Sequence, residues 1–122
     1  ISSDSLSPKN NQFLKDDNKS IILKYKDGSI CTINYFAVGS NLLDKEYMEV
    51  HFENKTIILE DYKVLYALGI DFKKIITTKP DKGHLDELNV LYDFMSGKRL
   101  DWPIDLNQII ETTEATFTIS SN

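Results

Sequence analysis

The feature that most constrains this 122-residue chain is a change of hydrophobic period at Lys79-Pro80-Asp81-Lys82-Gly83-His84. Before it, apolar residues come in short runs broken by turn residues, the pattern of half-buried strands. After it they recur every three or four residues, the pattern of amphipathic helices. A chain with its strands first and its helices last is expected to be α+β. The expected sheet is mostly antiparallel, with five or six strands in a hairpin and a meander, and two C-terminal helices are expected to pack on one of its faces.

Local signals place the elements. Residues 1–19 are rich in Ser, Asn, Asp and Lys, with only Leu6, Phe13 and Leu14 as apolar anchors beyond the first residue, Ile1; they are expected to be a poorly structured lead-in to a folded domain at 20–122. Asp27-Gly28 between two apolar runs signals a hairpin. A three-residue loop with Gly28 as a left-handed bulge puts Ile21, Leu23 and Tyr25 on one face with Cys31, Ile33 and Tyr35. A two-residue loop would set Cys31 opposite Lys24 and scatter that set, so the bulged turn is expected. The opposite face, Ile22, Ile30, Thr32, Asn34 and Phe36 beside Lys24, is too apolar to be left to solvent and is expected to be covered.

Four further strands are expected over 45–52, 56–60, 62–68 and 72–78, punctuated by Glu53-Asn54-Lys55, Glu60-Asp61 and Gly69-Ile70-Asp71. Pro80 stops the last of them. A helix then runs from Gly83 or His84 to Met95 and ends at Ser96-Gly97. Asp105 with Gln108 opens a second helix, whose apolar stripe is Leu106, Ile109, Ile110, Thr113 and Phe117.

Composition narrows the function. The net charge is −5 and the basic pairs Lys73-Lys74 and Lys98-Arg99 are isolated, which argues against nucleic acid. No run approaches the ~18 apolar residues of a membrane helix, so no membrane partner is expected. The single Cys31 leaves no internal disulfide and no Cys-based zinc site, which fits a cytoplasmic protein. His51 and His84 lack a second ligand at metal-binding spacing, so no metal is expected. The five glycines are too far apart for a dinucleotide or phosphate cradle. Glu49 and His51 share a strand face but have no Ser or Cys nucleophile motif nearby, and read as a polar rim. His84 at a helix start is either a proton carrier or a capping and packing residue. The start at Ile1, with no initiator Met, is expected to reflect either processing or, the favoured alternative, a domain excised from a longer protein.

The order Tyr25-Lys26-Asp27-Gly28-Ser29, Thr32-Ile33-Asn34-Tyr35, Asp81-Lys82-Gly83-His84 with Glu87-Leu88, Pro103-Ile104, and Glu111-Thr112-Thr113 with Ala115-Thr116 resembles the end of the Gfo/Idh/MocA family (glucose-fructose oxidoreductase, inositol dehydrogenase and rhizopine catabolism proteins). It looks most like the branch found in bacterial surface-polysaccharide clusters, and it covers 13–120. The resemblance implies the C-terminal α+β domain of an NAD- or NADP-dependent dehydrogenase acting on a sugar or cyclitol. An N-terminal Rossmann domain would hold the cofactor, and the sheet would supply a substrate wall and the contact of a homo-oligomer. The family's Glu-Lys-Pro and its Asp and His four apart are not carried here: Thr78-Lys79-Pro80 lacks the glutamate, and Pro80 and Tyr47 stand four before His84 and His51. This fragment is therefore expected to be inactive alone, with no catalytic residue and no bound cofactor. Tyr35, Lys82 and His84 are the groups expected near a sugar, whose hydroxyls need donors and acceptors around an aromatic face; the alternative for each is a structural role. A reading from another class is a stand-alone module that binds a protein partner through an apolar sheet face.

Overall fold

A computed structural model describes residues 1–7, 9 and 14–120. The strands are β1 (Ser2–Ser5), β2 (Asn18–Lys24), β3 (Ile30–Phe36), β4 (Tyr47–Phe52), β5 (Lys55–Glu60), β6 (Val64–Leu68) and β7 (Ile75–Ile76). The helices are α1 (His84–Met95) and α2 (Leu106–Ser120). All strand pairs are antiparallel, so the α+β class holds. The strands form two sheets rather than one, ordered β1-β2-β3 and β4-β5-β6-β7. The chain divides into two units, 1–40 with 104–122 and 41–103, so each unit has one sheet and one helix.

In the first unit the hairpin has the bulged register: Leu23 faces Cys31 and Ile21 faces Ile33. Gly28 sits at φ 92° and its N–H donates to the Tyr25 carbonyl at 3.1 Å. The lead-in differs from its expectation. Ser2–Ser5 is a strand, with Ser3 opposite Ile21 and Ser5 opposite Lys19, because β2 offers a second edge and short hydroxyl side chains fit against it. Phe13 lies outside the described residues. β3 ends where the Ala37 N–H donates to the Asp17 carbonyl and the Val38 N–H to Asn18 Oδ1, both at 3.0 Å, tying the chain back to the turn before β2. This tie separates the first sheet from the meander. At the far end of α2, the Ile119 carbonyl accepts from Ser3 Oγ at 3.3 Å and Lys19 Nζ at 3.2 Å, a cation at the negative end of the helix.

In the second unit two tight turns link three strands. Glu53 and Asn54 have φ of 45° and 62°, and Asp61 and Tyr62 have 46° and 53°, consecutive left-handed residues of the kind a type I′ turn requires. Gly69 passes so close to the first turn that a Cβ there would lie 2.7 Å from the Asn54 carbonyl oxygen. α1 ends in a Schellman motif: the Gly97 N–H donates to the Phe94 carbonyl and the Lys98 N–H to the Asp93 carbonyl, with Gly97 at φ 76°. The Trp102 ring packs edge-on against Phe94, with centroids 4.9 Å apart. No residue of α1 is buried. Ile21 and Ile58 are the only buried apolar side chains among the described residues.

Candidate functional site

The register of the second sheet sorts its side chains onto two unlike faces. Because strand side chains alternate, Met48, Val50 and Phe52 of β4 share a face with Ile57 and Leu59 of β5, Leu65 and Ala67 of β6, and Ile75 of β7. Apart from Lys55 this face is apolar, and Met48, Val50, Phe52 and Ile75 are exposed on it.

The opposite face carries Tyr47, Glu49 and His51, set against Glu60, Ile58 and Thr56 of β5, with Tyr66 beyond Ile58. The Tyr47 hydroxyl donates to Glu49 Oε1. Glu49 Oε2 lies 3.4 Å from His51 Nε2, and His51 Nδ1 lies 3.0 Å from Thr56 Oγ1. The Tyr66 hydroxyl donates to Glu60 Oε1 at 3.3 Å, and Lys74 Nζ stands 5.2 Å from the centre of the Tyr66 ring. The bond to Glu49 pushes the Tyr47 phenol up to about 12, and the same bond holds the Glu49 carboxyl below its ordinary value. The tyrosines therefore stay protonated and donating, while Glu49 stays ionised and accepting.

Chemically this row can hold a ligand rich in hydroxyls: two phenols, two carboxylates, an imidazole and a threonine hydroxyl offer donors and acceptors beside aromatic faces. It is not built for acyl transfer. A Thr-His-Glu relay needs preorganised oxyanion donors in a water-excluding cleft, and the His51 side chain is 65% exposed. Glu49 and His51 form the polar face their spacing implied. Thr56, Glu60 and Tyr66 join the row only through the register: pairing Phe52 with Lys55, which the sequence pattern puts in the turn, brings Thr56 opposite His51 and Glu60 opposite Tyr47.

A second polar group gathers where α1 begins. Asp81 Oδ1 accepts the Gly83 N–H at 3.0 Å, and the Gly83 carbonyl accepts the Glu87 N–H at 2.9 Å, opening the helix. Lys82 Nζ lies 2.5 Å from Glu46 Oε1 and 5.2 Å from the centre of the Tyr62 ring. The Glu46 carboxylate raises the Lys82 pKa, so this amine is a fixed cation and not a base at neutral pH. His84 is exposed, with Nδ1 4.0 Å from Glu87 Oε2. Tyr35 belongs to the other unit, exposed on β3 opposite Lys19. Lys82 and His84 thus belong to one unit and Tyr35 to the other.

Among the described residues no three His, Cys, Asp or Glu side chains are placed to hold a metal ion. Among the same described residues no helix is long and apolar enough to cross a membrane. The helix starts do not suit a pyrophosphate either: α1 has Asp86 and Glu87 in its first turn, and Asp105 Oδ1 accepts the Asn107 N–H at 2.7 Å ahead of α2. Comparison of the chain with family models, with curated proteins and with solved structures gives no match.

Proposed function

We propose that this chain is the C-terminal domain of a cytoplasmic NAD- or NADP-dependent sugar or cyclitol dehydrogenase, in which it forms a wall of the substrate site and a contact between subunits. The observation that carries this reading is the division of the second sheet into a face of polar donors and acceptors and an exposed apolar face. In the intact enzyme a Rossmann domain would hold the nicotinamide that accepts or delivers the hydride. This chain's own part is to bind and orient. Tyr47, Glu49, His51 and Thr56 offer a donor-acceptor row to sugar hydroxyls. Lys82, held in place by Glu46, and His84 are the further groups of this unit proposed near substrate; Tyr35 belongs to the other unit and is not assigned to this row.

Calorimetric titration with NAD(H) and NADP(H) tests the division of labour. The chain alone is expected to take up neither, and tight binding by it would overturn the assignment of the cofactor to another domain. Reading the upstream frame tests the parentage: a G-x-G-x-x-G strand-helix unit followed by Glu-Lys-Pro is expected. Their absence would favour the second reading, a stand-alone module that binds a protein partner through Met48, Val50, Phe52, Ile57, Leu59 and Leu65.

A further inference from the structure

β3 is the last strand of its sheet, and the register says which of its backbone groups are unspent. The Tyr25 N–H donates to the Ser29 carbonyl and the Ala37 N–H to the Asp17 carbonyl. In an antiparallel ladder directly bonded pairs alternate, so the odd-numbered residues of β3 bond to β2. The N–H and C=O groups of Ile30, Thr32 and Asn34 therefore point away from β2, along the open edge. The Leu6 N–H donating to the Asn18 carbonyl supports this alternation, since even-numbered residues of β2 serve β1.

Natural sheets protect such edges with charges, proline or very short strands. Ile30-Cys31-Thr32-Ile33-Asn34-Tyr35-Phe36 has seven residues with no charge and no proline. The other edge strands differ: β1 contains Asp4, β4 contains Glu49, and β7 has two residues. β3 is also matched to itself about Ile33. Thr32 and Asn34 are polar on either side, and Ile30 and Phe36 are apolar at the ends.

We propose that this edge pairs antiparallel with the same edge of a second copy of this chain, about a two-fold axis at Ile33. Thr32 then exchanges two backbone hydrogen bonds with Asn34 of the second copy, and Asn34 with its Thr32. Ile33 meets its own equivalent as a non-hydrogen-bonded pair, and no two charges are opposed anywhere along the strand. The result is a continuous six-stranded sheet across the two copies. This edge goes beyond the proposed function, whose subunit contact is argued from the apolar face of the second sheet, and it does not depend on the dehydrogenase chemistry.

The test is sedimentation of the 122-residue chain with two variants. A non-hydrogen-bonded pair brings Cα atoms to about 4.5 Å with the side chains close together, within the Cα range that a disulfide spans. Ile33→Cys in a Cys31→Ser background is expected to form a covalent dimer under mild oxidation, whereas Cys31→Ser alone is not. Thr32→Pro removes an outward N–H without taking a bond from the β2 ladder, and is expected to give a monomer with an unchanged circular dichroism spectrum. A wild-type chain that is monomeric at every concentration overturns the proposal and the subunit-contact reading together. A dimer in which Ile33→Cys fails to cross-link, or which survives in a folded Thr32→Pro chain, overturns the edge alone and moves the contact to a sheet face.

Discussion

Each unit ties its loops to a buried polar side chain, Asn18 in the first, where Lys19 is buried beside it, and Asp61 in the second, and these two anchors are of different kinds. In the first unit Asn18 is fully buried. Its side chain accepts the Val38 N–H at 3.0 Å and donates to the Leu14 carbonyl at 3.4 Å, while its own carbonyl accepts the Leu6 N–H at 2.9 Å. Three segments thus meet on one residue, two of them on its neutral side-chain amide. In the second unit Asp61 is buried at the tip of the β5–β6 turn, with its N–H donating to the Glu46 carbonyl and its carboxylate 2.5 Å from Lys63 Nζ. Asp44 stands on the other side of that ammonium at 3.5 Å. A neutral anchor holds its loops at any pH. A charged one holds them only while it is ionised, but it can also restrain a turn made of two non-glycine residues with positive φ.

The largest expected effect lies at the tight approach beneath that second set of turns. Gly69→Ala meets the Asn54 carbonyl oxygen at 2.7 Å from a backbone at φ 73°. Left-handed strain and a backbone clash together are expected to cost about 3 kcal/mol. Denaturant unfolding followed by the fluorescence of Trp102, the only tryptophan and a member of the second unit, reads the loss. A change below about 1 kcal/mol would mean that the first turn gives way and is not fixed as described.

The next effect belongs to the neutral anchor. Asn18→Ala leaves the Val38 N–H without its acceptor and is expected to cost about 2 kcal/mol. The loss should appear as faster amide exchange at Ile21, Leu23 and Ile33, with Trp102 unchanged. Coupled loss at Trp102 would show that the two units unfold as one.

The charged anchor is the place for pH. The Lys63 ammonium holds the Asp61 carboxyl below its ordinary value, against the opposing effect of burial. A depressed pKa contributes stability that is complete above the unfolded value, about 3.9, and is lost as pH falls through the lower folded value. The second unit is therefore expected to weaken in acid below about pH 4. Asp61→Asn should lower its stability at neutral pH and flatten that acid response at Trp102. The first unit has its own acid-sensitive turn, where Ser29 holds Asp27 low. That response should be untouched by Asp61→Asn, which makes the pair of readouts decisive.

How much of this was legible depended on whether the cause was local. The β2–β3 turn was readable because Gly28 and the alternation of Ile21, Leu23, Cys31 and Ile33 admit one consistent register. The end of α1 was readable from Gly97. The β1 strand was not, since Ser2–Ser5 has no apolar pattern and pairs only because β2 supplies an edge. The division into two sheets was hidden for a similar reason: it follows from Asn18 and Asp17 capturing Val38 and Ala37, contacts made by residues about twenty apart. At the candidate site, Glu49 and His51 were visible as a pair, while Thr56, Glu60 and Tyr66 depend on a register set by left-handed residues with no glycine to announce them. Lys82 was visible as a cation, but its commitment to Glu46, 36 residues away, was not.

That last contrast gives the smallest and most local prediction. Glu53 occupies the first left-handed position of the β4–β5 turn at φ 45°, where a residue with a Cβ bears strain that Asn tolerates better. Its carboxylate contributes an exposed contact to Lys55 at 3.2 Å, of the kind worth little in water. Replacing it with Asn removes a weak ion pair and relieves backbone strain, so Glu53→Asn is expected to stabilise the second unit by roughly 0.5–1 kcal/mol, read as a higher denaturant midpoint at Trp102. The first unit, whose turn already has Gly28 at its left-handed position, offers no equivalent gain. If Glu53→Asn destabilises instead, the Lys55 contact matters more than the strain, and the second sheet turns its corners by charge rather than by backbone preference.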